Sequence, residues 1–179
     1  MNDQYAMEPT NDASVRPVAM RYGFLTGLVT IIYSFILLIA GLSENKALSS
    51  LSYVFLIVGI VLAHKHFKKE NGGYLTYGQG LGIGSLLSVV VGLLSGIFMY
   101  IYIKFIDSAF LDTMREMQIA ELEKRNMSDE QIEQAMAMAG KFMSPEVIAV
   151  SIILVTLLMG FLFSLIISAI TKHTQPAYE

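Results

Sequence analysis

The chain contains no cysteine among its 179 residues. It therefore has no disulfide framework, no thiolate nucleophile and no Cys-based metal site. Charge is scarce as well: Asp, Glu, Lys and Arg make up 15% of the chain, against roughly 25% in an ordinary soluble domain. The net charge is -3, and no basic tract with interleaved aromatics marks nucleic acid as a partner. No Ser/His/Asp set, paired carboxylates in a dry site or nucleophile elbow stands out, so the sequence reads as non-enzymatic, with no cofactor and no metal. The first 21 residues are polar, and the apolar run after them lacks a cleavable signal pattern.

What the chain has in quantity is apolar sequence: 54% of it is hydrophobic. That excess excludes a disordered chain and points to a lipid bilayer. It is concentrated in four uncharged runs, Tyr22–Leu42, Ala47–Ala63, Leu81–Ile103 and Val147–Ile170. At the helical rise, a run of about 20 residues spans about 30 Å, the thickness of a hydrocarbon core. Residues 1–21 form a polar N-terminal tail, 22–172 a four-span membrane domain, and 173–179 a C-terminal tail. The polar side chains within the spans are hydroxyls, a composition that weakens the case for an ion pump or proton-coupled carrier.

Between spans three and four, residues 104–144 hold 8 of the 15 acidic residues. Ile106, Phe110, Met114 and Met117 recur at helical spacing, as do Ile132, Ala135, Met136, Ala139 and Met143. Ser128 with Gln131 fits a capping box, so the segment reads as an amphipathic helical hairpin over about 105–143. Apolar face packed on apolar face is the simplest use of such a pair, with a partner groove as the alternative. Ser144-Pro145-Glu146 has the order N-cap, first-position proline, first-turn acid, and starts the last span.

Six cations lie on each side of the proposed membrane, so raw counts do not orient the chain. Of the two short loops, 64–77 carries Lys65, Lys68 and Lys69 while 43–46 carries only Lys46. Short loops weigh most, which places both termini in the cytoplasm and the hairpin outside.

The sharpest pattern lies in span three. Gly80, Gly84, Ser88, Gly92 and Gly96 repeat every four residues and form one stripe. Gly160, Ser164 and Ser168 form a shorter stripe on span four, and Gly23 and Gly27 a pair on span one. In lipid, small residues let helix backbones approach closely. The stripe is either a self-association or gating seam, in a homo-oligomer or with a membrane-protein partner, or the packing face of a central helix within one chain; the second is the commoner use.

Gly78, Gly80, Gly82 and Gly84 do not make a phosphate loop, because a membrane run follows and no βαβ context precedes. His64 and His66 are a weak metal signal without a third ligand, and read as interfacial polar residues after a span.

The stretch Asn71-Gly72-Gly73-Tyr74-Leu75-Thr76-Tyr77-Gly78-Gln79-Gly80 leads into the Gly/Ser-rich span, and an acidic, Met-rich loop and a last span follow. Over about residues 20–172 this resembles the bacterial membrane proteins grouped as domain of unknown function 4199. The resemblance implies a small four-helix inner-membrane protein, with no assigned activity and no catalytic residues to carry over. The chain departs from it at Asp107-Ser108, where a proline is expected soon after the third span.

The expected fold is all-α, a four-span integral membrane bundle with an extramembrane hairpin. The expected function is non-enzymatic assembly or interaction, packed through the span-three stripe; the alternative is a small channel or facilitator for a neutral solute.

Overall fold

The computed structural model describes residues 14–43 and 45–174. It is all-α. Four long helices, α1 (Val15–Ile39), α2 (Lys46–Glu70), α3 (Tyr77–Ile101) and α6 (Pro145–Thr171), form the bundle. Two shorter ones, α4 (Phe110–Lys124) and α5 (Asp129–Ala139), make the hairpin. Each of the four long helices is long and apolar enough to cross a membrane, α3 together with a π-helical turn over Tyr102–Ile106.

Local chemistry explains most helix ends. Pro17 sits in the first turn of α1, where a missing N–H breaks no helical bond. The Asn45 side chain accepts from the N–H groups of Ala47 and Leu48 and starts α2. Lys68 and Lys69 lie in its last turn, where cations suit the helix dipole. Gly72 (φ 60°) and Gly73 (φ 92°) then reverse the chain with left-handed backbone. Thr76 and Gln79 form a reciprocal capping box that opens α3. Ser128 and Gln131 do the same for α5, and Ser144 with Pro145 opens α6.

The helices outrun the apolar stretches that announce them. α1 begins at Val15, inside the segment expected to be a tail, and Val18 and Ala19 are buried in the core. Residues 1–13 and 175–179 of the expected tails lie outside the described residues. α2 continues past Ala63 to Glu70 and buries His64 and Phe67. A hydropathy run marks the part suited to hydrocarbon; backbone hydrogen bonding carries the helix on through polar residues.

α3 is the central helix. On one side the backbone of α1 comes close at Gly23 and Gly27, against Leu87, Val90 and Leu94. On the other side lies α6. Val18, Leu56, Ile60, Phe67, Ile83, Leu87 and Ile167 belong to one tightly buried cluster, in the half of the bundle near the α2–α3 turn. That end is tied by a two-way backbone pairing of Leu75 with His173, at 2.8 Å each way. The outward faces are apolar: Ile32, Ile36, Leu154 and Ile166 are each more than half exposed. A bilayer, and not water, is the medium such faces suit.

At the other end, the turn at Asp107-Ser108 is made without proline. Asp107 Oδ1 accepts from the Ala109 N–H, and the Tyr102 hydroxyl donates to the Asp107 carboxylate at 3.4 Å. The hairpin is thinly packed. α4 has no buried residue and α5 has one, Ile132, so the two apolar faces only partly cover each other.

Candidate functional site

Gly80, Gly84, Ser88, Gly92, Gly96, Gly160, Ser164 and Ser168 are all buried, and all lie on one antiparallel seam between α3 and α6. Gly80 faces Ser168, Gly84 faces Ser164, and Ser88 faces Gly160, so each hydroxymethyl group fills the notch of a glycine opposite. Further along, Gly92 lies against the Ile153 backbone and Gly96 against the Ala149 carbonyl. A Cβ on Gly96 would come within 2.9 Å of that carbonyl oxygen. The stripe is thus filled by the chain's own α6. The Ser88 hydroxyl donates to the Gly84 carbonyl at 2.8 Å, and Ser164 donates toward the Gly80 and Leu81 carbonyls at 3.4 Å. Hydroxyls bonded to helix carbonyls are polar groups that hydrocarbon tolerates.

His64 belongs to this seam and not to an interface. Its side chain is fully buried. Nε2 lies 2.9 Å from the Gly80 carbonyl, which only accepts, so Nε2 carries a hydrogen. Nδ1 lies 2.8 Å from Thr171 Oγ1, which is itself 2.7 Å from the Ile167 carbonyl. A neutral ring is satisfied when the Thr171 hydroxyl donates to Nδ1. A protonated ring is satisfied when Nδ1 donates to Thr171 and Thr171 donates to Ile167. One imidazole therefore links α2, α3 and α6 in either state. His66 faces elsewhere, 3.1 Å from Glu70 and beside the Tyr22 ring. The two histidines do not converge. The sequence signal for the buried one was available: Leu56, Ile60, His64 and Phe67 share a helical face, and the other three are core residues.

Toward the hairpin the long helices part and leave a chamber of about 640 Å³. Its walls come from α1 (Thr30), α2 (Ser49, Ser52, Tyr53), α3 (Ser95) and α6 (Ile148 to Thr156). Met114 and Gln118 of α4, with Phe142 and Met143, cover it. No charged side chain lines it among the described residues. The Ser95 hydroxyl oxygen is buried and has no hydrogen-bond partner among them. The sequence pattern gave no hint of this space, because its lining is spread over six segments with no shared period.

The family model described as "Protein of unknown function (DUF4199)" matches residues 21–173. The chain belongs to that family. No curated protein and no solved structure matches it. For this DUF4199 member the Gly-Gly-Tyr-Leu-Thr-Tyr-Gly element now has a physical account. Gly72 and Gly73 make the left-handed turn, Leu75 is buried and pairs with His173, and Thr76 caps α3. Gly80 gives close approach to Ser168 and a carbonyl to His64.

Proposed function

We propose that this chain is a non-enzymatic protein of the bacterial inner membrane that works by assembly or interaction. The Gly/Ser seam is its internal frame, and the hairpin end is the surface it offers to a partner. The observation that carries this reading is the contrast between the two ends. Near the α2–α3 turn the bundle is closely packed and interlocked through α3, α6 and His64. At the hairpin end it is open, with Met138 and Phe142 more than two-thirds exposed. Exposed, adaptable apolar side chains of this kind suit a protein contact. The lysines at the end of α2, Lys65, Lys68 and Lys69, favour cytoplasmic termini and an outward hairpin.

A pull-down in mild detergent tests the interaction. A protein held by the parent chain and lost from the Met138→Glu, Phe142→Glu variant supports it; a chain that elutes alone under every condition refutes it. Cysteines introduced at Asn126 or Asp129 test orientation: a membrane-impermeant thiol reagent labels them in intact cells if the hairpin faces out, and only after lysis if it faces in. The facilitator for a neutral solute is the second reading, and the uncharged, hydroxyl-lined chamber favours it. Against it weighs the filled core of Leu56, Ile60 and Leu87, which leaves the far half of the bundle without a path.

A further inference from the structure

We infer that the α4–α5 hairpin is a hinged lid, resting ajar over the chamber, that swings against the bundle about its two roots. Three observations carry this.

The first is how the hairpin is held. From Ser108 to Met143, every hydrogen bond and ion pair among the described residues stays inside the segment or reaches only Asp107 at its root. α4 has no buried residue and α5 has only Ile132. A unit with so few buried contacts and no polar bond to its neighbour belongs to the low-stability end of a fold, from which lids are drawn. The second is the space beneath it. Three gaps lie between α4 and the bundle: the chamber of about 640 Å³, a cleft of about 170 Å³ beside Leu38 of α1, and one of about 540 Å³ beside Lys46 of α2. Met114 lines all three. Parts of a protein that stay together as one body are close-packed, with few voids larger than a water molecule. An inward swing closes the gaps and covers Met114 and Met117, apolar side chains that now line them.

The third is the build of the roots. On one side α3 ends in the π-helical turn Tyr102–Ile106 and the non-helical backbone of Asp107 (φ -132°, ψ 87°). On the other, the 3₁₀ turn Gly140–Phe142 leads to Met143 (φ -93°, ψ 58°), just before α6 begins at Pro145. Such short turns and non-helical residues at the ends of helices are where hinges absorb a rotation. Lys104 Nζ lies 3.9 Å from Glu146 Oε1, so the two roots leave the bundle side by side and define one pivot. The swing needs no partner, so it stands apart from the interaction reading.

The test measures distances by pulsed electron paramagnetic resonance on the full chain in phosphatidylcholine vesicles. The chain has no cysteine, so introduced pairs carry the only nitroxide labels. Two pairs join lid to bundle: Glu133→Cys with Ile39→Cys, and Asn126→Cys with Ser50→Cys. Ile39→Cys with Val150→Cys lies within the bundle, and Asp112→Cys with Glu133→Cys within the hairpin. All these side chains are exposed, so the labels displace no core residue. Both lid-to-bundle pairs should give two maxima, or one maximum about twice as broad as the bundle pair's, as a collective hinge motion does. The hairpin pair should be as narrow as the bundle pair. Lid-to-bundle distances as narrow as the bundle's would make the hairpin a fixed cap. A hairpin pair as broad as the lid-to-bundle pairs would mean that α4 and α5 come apart instead of swinging. Broadening in only one lid-to-bundle pair would mark local motion of one segment. Each of these three results overturns the proposal.

Discussion

Gly160→Ala and Ser88→Gly form a reciprocal pair that isolates one contact in the α3–α6 seam. A Cβ on Gly160 would fall where the Ser88 side chain stands, and Ser88 is fully buried. The clash includes the Ser88 Cβ, which is fixed to the α3 backbone, so rotating the hydroxyl does not relieve it and α3 and α6 must move apart. That movement loosens the Gly84–Ser164 and Gly92–Ile153 contacts on either side. Overpacking of this kind costs about 3 kcal/mol at its upper end, while alanine regains up to about 1 kcal/mol over glycine in a helix. The net expectation for Gly160→Ala is a loss of about 2 kcal/mol. Ser88→Gly alone should lose about 1 kcal/mol, from helix propensity and a small void. In the double variant the new methyl group occupies the space that the hydroxymethyl group vacated. Its loss should be about 1 kcal/mol, not the sum of about 3, leaving a coupling near 2 kcal/mol. The chain has no cysteine, so a single Ala63→Cys in the buried core is a clean reporter of bundle opening. Thiol labelling across an SDS titration from mild detergent gives the midpoint for each variant. A Gly160→Ala midpoint equal to the parent's, or a double variant that costs the sum of the singles, refutes the interlocked seam.

Three further outcomes follow from the same contacts. The double variant Gly84→Leu, Gly92→Leu should fail to elute like the parent in mild detergent, because leucine holds the two backbones apart; unchanged elution on size exclusion contradicts this. His64→Ala should cost about 2–4 kcal/mol in the SDS titration, from a cavity and the lost bonds to Gly80 and Thr171, whereas His66→Ala, a partly exposed neighbour of Glu70, should cost less than about 1 kcal/mol. Equal losses would remove His64 from its bridging role. Gly73→Ala should cost about 1–2 kcal/mol through its left-handed backbone, and Gly78→Ala, whose Cβ meets open space, should cost nothing measurable; the contrast in midpoints checks both.

Much of the architecture is legible in the residues because the physics involved is local. Four uncharged runs give four long helices, and the Ser128–Gln131 and Ser144-Pro145 signals act at the ends where they stand. The every-fourth-residue stripe marks the face on which α3 meets α6. Its register against Gly160, Ser164 and Ser168 needs the fold, because the pairing joins residues far apart in sequence. Helix ends are less legible where polar residues continue a helix, as at Val15 and beyond Ala63. The burial of His64 is not legible, because a histidine next to lysines resembles an interface. Its burial depends on Gly80 and Thr171, each brought from another helix. The chamber is illegible for the same reason: it is a gap among six segments, and a gap has no sequence of its own.

The late position of α6 in the chain has a consequence for biogenesis. The first three long helices are synthesised before the strip that fits the notches of α3 exists. Until α6 docks, the glycine face of α3 lacks the strip that fills it, and the imidazole on α2 lacks Thr171, one of its two partners. Docking of α6 closes the notches, completes the imidazole's bonds and brings His173 to Leu75. The last of the described long helices is in this sense the latch of the bundle. A product ending before Ser144 would hold three inserted helices with an open glycine track, the kind of surface that membrane quality control is suited to recognise.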